Sequence, residues 1–269
     1  MRMKIIAAII FVAVCCGPLG SVVVFAATAS DMRKPIIYVK RDGVIISDDL
    51  ATVTWPVASI TKLMTAMVLT DMNLDWSKSV SLMRSDEVGG ARLRSPVGTR
   101  YSRNDLLHAS LMGSANNATH ALARTSGVSL PYFVAQMNKK ALALGMVNTH
   151  FVDPTGIEIE NVSTAEDLAK LVEAAGTYPS IAKIGTTDYF TLYTLAKRSV
   201  AHPIKTTNKL LLNGDSVQLG KTGYLIESQY NFAMIGTDKT GAHQTVVVLG
   251  APSMNASFQI ARAHANMGD

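Results

Sequence analysis

Residues 55–69 read WPVASITKLMTAMVL. After Pro56 almost everything is apolar or small, and at helical spacing Ile60, Leu63, Met64, Met67 and Val68 make one wide apolar stripe. A helix of this kind belongs inside a protein. Its first turn nevertheless carries Lys62, three residues after Ser59, and side chains three apart share a helix face. A serine at a helix start also sits among backbone N–H groups that lack intrahelical partners, where the helix dipole favours negative charge. Serine acyl transfer needs a nucleophile, a base beside it and donors aimed at the oxyanion. Burial disfavours a charged lysine, and an uncharged lysine is what such a serine requires.

Outward from this segment the texture changes. Upstream, Pro35–Lys40 and Val44–Ile46 flank Arg41-Asp42-Gly43, which is a β-hairpin signal. Downstream the pattern is helical. Ser102 reads as an N-cap with Asp105 three residues on, before a helix that ends at Met112-Gly113. Further helices are expected over about 116–124 and 130–144, the latter stopped by Gly145. Asp153-Pro154-Thr155-Gly156 reads as a turn. Ser163-Thr164-Ala165-Glu166 opens a helix to about Ala175. Strands return at 216–222, 230–236 and 244–249, and a helix over about 254–265 closes the chain. Strands from both ends thus flank a helical middle. The expected class is α+β: an antiparallel β-sheet flanked by helices, with an all-helical region inserted between its strands.

The chain has 269 residues and a formal net charge of +5, enough for one large domain with a sizeable core. MRMK followed by an uncharged run from Ile5 to Ala29, with Ala27-Thr28-Ala29 before Ser30, reads as a secretory signal peptide over 1–29. The alternatives are an uncut N-terminal anchor with loose membrane association and a lipoprotein, which Val14 before Cys15 fits poorly. Both cysteines, Cys15 and Cys16, lie in this segment, so the expected mature domain, 30–269, folds without disulfides. Its sheet lobe is expected over 30–55 and 200–269, its helical lobe over 56–199. The protein is read as exported and periplasmic. Loss of Arg2 and Lys4 takes the charge from +5 to +3, which suits an anionic polymer and is too weak and scattered for nucleic acid. The six histidines have no metal-binding spacing, so neither metal nor cofactor is expected.

Short motifs recur by chance, and this chain holds its own decoys. Ser180-Ile181-Ala182-Lys183 repeats the spacing of Ser59 and Lys62. Ser-x-Asn occurs at 102–104, 114–116 and 253–255, and Lys-Thr-Gly at 221–223 and 239–241. Local context chooses among them. Ser180 follows Tyr-Pro in a short polar stretch with no buried helix behind it. Ser102 is better explained as a cap. Ser114 sits in a tight junction between helices, where its hydroxyl and the Asn116 amide can face a cleft. Lys239 falls in a hairpin turn, whereas Lys221 ends an expected strand and can flank that cleft.

The set Ser59/Lys62, Ser114/Asn116 and Lys221/Thr222/Gly223, in this order, is the signature of serine penicillin-recognising enzymes. The chain resembles the low-molecular-mass penicillin-binding proteins, the D-alanyl-D-alanine carboxypeptidase family. VASITKLMTAMV is similar to that family's nucleophile helix, and FVDPTGIEIENVSTAEDLAKL to a further segment of it. Arg92-Leu93-Arg94 resembles its D,D-endopeptidase branch. The resemblance implies a serine β-lactamase-like fold and a peptidoglycan D,D-peptidase. The C-terminal β-domain and anchoring helix of many carboxypeptidases are expected to be missing, and the Glu-x-x-Leu-Asn loop of class A β-lactamases is not found.

In that reading Ser59 attacks the carbonyl of the penultimate D-alanine, with Lys62 as its base. Ser114 relays a proton to the leaving amine. Asn116 holds the substrate's amide backbone, and Lys221 and Thr222 bind the carboxylate beyond the scissile bond. Strict strand alternation sets Lys221 and Thr222 on opposite faces, which leaves their joint geometry open. Gly223 lets substrate backbone come close. The resemblance assigns the oxyanion hole to the N–H groups of Ser59 and Tyr224. Arg92, Arg94, Arg100 and Arg103 read either as an attractor of anionic peptidoglycan or as a solvated basic loop. The expected partners are peptidoglycan peptides, with β-lactams as covalent inhibitors. The expected reaction is endopeptidase cleavage of D-alanyl–meso-diaminopimelate cross-links. The alternatives are a D-alanyl-D-alanine carboxypeptidase, a β-lactamase, or a penicillin-binding sensor without useful turnover.

Overall fold

The computed structural model describes residues 34–267. The signal-peptide reading of 1–29 and both cysteines lie outside them. The first hairpin forms as its turn chemistry directs: β1 (Ile36–Arg41) and β2 (Val44–Ser47) are joined by Asp42 and Gly43, both at positive φ, the conformation of a two-residue hairpin turn. The last three strands, β9 (Val217–Leu225), β10 (Gln229–Thr237) and β11 (His243–Ala251), pair with β1 in an antiparallel sheet of order β2-β1-β11-β10-β9. Strands from early and late in the chain therefore build one sheet, with β2 and β9 as its edge strands.

Between them lie β3 (Trp55–Pro56), α1 (Thr61–Asp71), β4 (Ser79–Ser81), β5 (Arg100–Ser102), α2 (Arg103–Leu111), α3 (Asn116–Arg124) and α4 (Leu130–Ala143). Then come β6 (Val162–Ser163), α5 (Ala165–Gly176), α6 (Pro179–Gly185), β7 (Tyr189–Tyr193), β8 (Ala201–Lys205) and α7 (Lys209–Leu212); α8 (Met254–His264) closes the chain. Caps occur where short polar side chains precede helices. Ser102 accepts from the Asp105 N–H, and Thr164, one residue beyond Ser163, accepts from the Asp167 N–H.

The sheet is covered on both faces, so β11 reads as an almost unbroken apolar run. On one face Phe232, Met234, Val246 and Val248 pack with Phe258 and Ala261 of α8. On the other, Ala233, Val247 and Leu249 join the larger core around α1 and α5. Nine of the eleven residues of α1 are buried, so it is enclosed on every side and not only along its apolar stripe.

Three departures from the sequence reading concern the site. β9 continues past Thr222 to Leu225, which puts Lys221 in mid-strand. Ser180 lies on α6, whose Ile181 and Ile184 are buried, so a short helix does stand behind it. The expected lobe boundary at 199/200 falls inside the β7–β8 hairpin, which packs on α2.

Candidate active site

The segment that leads to Ser59 is clamped before it turns. The Asn231 amide donates to the Pro56 carbonyl at 2.9 Å, Val57 N–H donates to the Asn161 carbonyl, and the Trp55 indole N–H donates to the Ser228 carbonyl. The chain then enters a 3₁₀ turn, Ala58–Ile60, that runs directly into α1. Ala58 has φ +50°, a left-handed conformation that costs an alanine about 1–2 kcal/mol. Ser59 is thereby presented half-buried at the head of the helix.

Lys62 is fully buried, and its Nζ lies 2.6 Å from Ser59 Oγ. The same Nζ donates to the Thr155 carbonyl at 2.6 Å. Burial, and after it the positive Lys221, push its pKa well below the ordinary lysine value, while the Asp153 charge pushes back. Lys221, also buried, donates to Ser114 Oγ at 2.9 Å and to the Thr222 carbonyl at 3.0 Å. Burial brings its pKa down to about 7. Ser114 itself has φ +56°, so two non-glycine residues at or next to the site hold left-handed backbone.

The Asn116 Nδ2 donates to the Gly89 carbonyl at 2.8 Å and its backbone N–H to the Ala91 carbonyl at 2.7 Å. Its Oδ1 is buried with no protein partner, an acceptor left for an incoming N–H. Strand alternation holds at the third motif. Lys221 turns to Ser114, whereas the Thr222 hydroxyl meets the Thr207 hydroxyl at 2.8 Å. A Cβ on Gly223 would stand 2.8 Å from the Val57 carbonyl and 3.3 Å from the Ser59 nitrogen, so only glycine lets the edge strand lie against the turn that carries Ser59. Tyr224 is exposed and its ring lies tilted against that of Tyr230, with centroids 4.4 Å apart.

Among the decoys, Lys239 lies in the β10–β11 connection and Ser102 is the cap of α2. Arg103 is buried and donates to the carbonyls of Thr125 and Asp75, so it belongs to the scaffold. Arg92 meets Glu87 at 3.3 Å, and Arg100 donates to Ser79.

Sequence reasoning missed how the Asp153–Gly156 turn serves the site. The Asp153 carboxylate gathers the N–H groups of Thr155, Gly156 and Glu158. The turn offers the Thr155 carbonyl to Lys62 and the Pro154 carbonyl to Thr65. Gly156, at φ +81°, packs so closely on the Ala58 carbonyl that a side chain there would overlap it. The D-P-T-G spelling marks a turn; what the turn touches is a tertiary fact. Thr207 carried no signal at all.

A serine hydroxyl beside an unpaired buried amine, with a second lysine on a second serine, is the constellation of active-site serine peptidases that use lysine where others use histidine. Comparison with known proteins narrows the class. A family model described as D-alanyl-D-alanine carboxypeptidase matches residues 26–253, and the chain belongs to that family, peptidase S11. It is 41% identical over 189 residues to a D-alanyl-D-alanine endopeptidase of Pseudomonas aeruginosa, a match covering 66% of this chain and 58% of that protein. It is 40% identical over 172 residues to a D-alanyl-D-alanine endopeptidase of Escherichia coli, covering 63% and 55%. The matches thus span a little over half the length of these relatives. Its fold is similar to the crystal structure of a DD-transpeptidase of Streptomyces, with TM-score 0.79 and 26% identity over 86% of this chain and 95% of that one. The architecture is the α+β fold of the penicillin-binding transpeptidases.

Proposed function

We propose that this chain is a peptidoglycan D,D-endopeptidase that cleaves D-alanyl–meso-diaminopimelate cross-links through a Ser59 acyl-enzyme. The observation that carries the reading is the 2.6 Å approach of Ser59 Oγ to the Nζ of a fully buried lysine with no carboxylate on it. Lys62 in its neutral form takes the Ser59 proton as Oγ bonds to the D-alanine carbonyl carbon. The carbonyl oxygen becomes an oxyanion facing the Ser59 and Tyr224 N–H groups. The C–N bond then breaks. Ser114, held by Lys221, passes a proton to the departing amine and receives in its place the one Lys62 took; water, giving a proton to Lys62, later hydrolyses the ester and restores the Ser59 hydroxyl. The open Asn116 Oδ1 receives the substrate's amide N–H, while Lys221 and Thr222 address the carboxylate on the leaving side. β-Lactams acylate the same serine.

The choice of bond rests on two supports. One is the similarity to relatives that carry the endopeptidase name. The other is chemical: in the cross-link the leaving amine sits on a D-centre with its own carboxylate, which Lys221 can read as it reads terminal D-alanine. The work is done outside the cytoplasm, in the periplasm, where the 1–29 segment directs it as a secretory signal and cross-link cleavage bears on cell shape. Among the described residues no helix is long and apolar enough to cross a membrane. The test is incubation of the protein with a purified cross-linked muropeptide dimer and, separately, with a monomeric pentapeptide. Cleavage of the dimer supports the proposal. A surviving dimer beside a pentapeptide that loses D-alanine makes it a carboxypeptidase. One equivalent of acylation without turnover makes it a sensor.

A further inference from the structure

Residues 188–205 read DYFTLYTLAKRSVAHPIK and contain the β7–β8 hairpin. Its register sets Tyr189 opposite Lys205, Thr191 opposite Pro203 and Tyr193 opposite Ala201. With a period of two, these six share one face and Phe190, Leu192, His202 and Ile204 share the other. The inner face is occupied. Phe190 stacks on His108 of α2 with ring centroids 3.7 Å apart, His202 meets the edge of Tyr101 at 5.8 Å, and Leu192 is fully buried. A two-stranded sheet alone is marginal in water, so this packing is what holds the hairpin.

The outer face takes no part in that packing. Tyr189 and Tyr193 are 59% and 54% exposed, and Ala201, Pro203 and Lys205 are exposed with them. Two flat rings therefore face solvent about 13 Å apart along one strand, with a proline ring between them on the partner strand. Lys205 holds its ammonium 5.1 Å over the Tyr189 ring. Lys197 and Arg198 are exposed at the connection, and Asp188 is the one acidic residue of 188–205. Flat rings suit the C–H faces of pyranose sugars, and the cations suit carboxylates on the same polymer. A nucleic acid would call for far more positive charge than this strip carries.

One end of the strip also leads to the cleft. Two residues after β8, Thr207 donates its N–H to the Met112 carbonyl and meets the Thr222 hydroxyl. We propose that the outer face of β7–β8 binds the glycan strand of peptidoglycan, an acetylated pyranose polymer with carboxylates on its stem peptides or, where these are removed, on its own lactyl groups, and holds it while a stem peptide reaches Ser59. The inference rests on the peptidoglycan reading above.

The probe is fluorescent glycan strands stripped of their stem peptides, which no peptidase can cut. The full chain is expected to bind them. Tyr189→Ala/Tyr193→Ala should weaken binding at least about tenfold, and Tyr189→Phe/Tyr193→Phe, which keeps the rings, should retain it. Lys197→Ala/Arg198→Ala should weaken it and lessen its salt dependence. None of these changes touches the hairpin's inner face, so thermal unfolding, penicillin labelling and cleavage of a small muropeptide dimer should stay within about twofold of the unaltered protein, while digestion of intact sacculi falls. Undiminished strand binding by the tyrosine-to-alanine variant overturns the proposal, as does the absence of binding by the unaltered protein. Self-association lost in that variant, with strand binding unchanged, would assign the face to a second copy. Failure to cleave the dimer strikes at the peptidase reading and leaves strand binding as a separate result.

Discussion

Helix α3 has a buried group of ionisable side chains near each end, and the two are built on opposite principles. Toward its C-terminus, Asp86 is fully buried and accepts from His120 Nδ1, from Arg124 Nε and Nη2 and from the Met83 N–H. Burial alone would raise the pKa of this carboxyl. Those donors, Arg124 first, overcome it and hold the value at about 2. At the other end, beyond Asn116, Lys62 and Lys221 are buried just as deeply, yet their hydrogen-bond partners are hydroxyls and carbonyls. Depth is common to both groups, and the partner decides the charge state. The first group anchors the 83–98 loop to α3. The second keeps amines that cannot comfortably be charged, which is costly for folding and useful to a serine.

Breaking the paired group should have the larger effect on the fold. Asp86→Ala leaves Arg124 without its counter-charge, and removal of one partner from a buried pair costs about 3–5 kcal/mol. Urea unfolding should show that loss; a change below about 1 kcal/mol would mean that solvent screens the pair. The unpaired group should answer in chemistry. Lys62→Arg keeps a positive charge but gives up the ability to lose a proton. Acylation by fluorescent penicillin should fall by about 10²-fold or more, the scale of a lost general base. A near-normal rate would reduce Lys62 to a point charge.

How far the sequence reveals this difference depends on distance along the chain. The Ser59–Lys62 pair is local, so spacing and an apolar helix are enough to find it. Lys221 could be chosen over Lys239 because strand and turn textures differ, but its mid-strand position could not, since β9 runs on to a tight turn at 226–228. The helix cap at Ser102 follows from side-chain chemistry within four residues; at the head of α5 the cap falls on Thr164, one residue beyond the Ser163 that opens the expected helix. The Asp86 group is different in kind. His120 and Arg124 share a helix face, yet nothing local says which acid, more than thirty residues upstream, will meet them. The β7–β8 hairpin was illegible for a related reason. Its strands pair because α2 receives Phe190, and Pro203 in β8 argues against a strand until the edge position is known.

Stability against pH offers a finer contrast, with opposite signs. Lys221 has a pKa of about 7 when folded and an ordinary lysine value, about 10.4, when unfolded. Between those values the unfolded chain binds more protons, so stability rises with pH, and below about 7 the penalty is fully present. Asp86 contributes its stability above about pH 4, the unfolded carboxyl value, and loses it as pH falls toward about 2. Urea midpoints followed from acid to alkaline pH should show both limbs. Lys62, whose pKa is also lowered, adds to the same rise, so Lys221→Met should lessen the alkaline rise without abolishing it and leave the acid limb in place; an undiminished alkaline rise would mean that Lys221 is charged in the folded protein.

The central claim is that an uncharged, buried lysine activates Ser59, and the most direct measurement is NMR titration of the lysine side chains in the folded protein, labelled at Cε. Lys62→Met and Lys221→Met identify the two signals. Both should titrate apart from the rest, Lys221 at about 7 and Lys62 well below the ordinary lysine value. If the Lys62 signal titrates with the surface lysines, the residue is charged at neutral pH, and the base assigned to Ser59 is wrong.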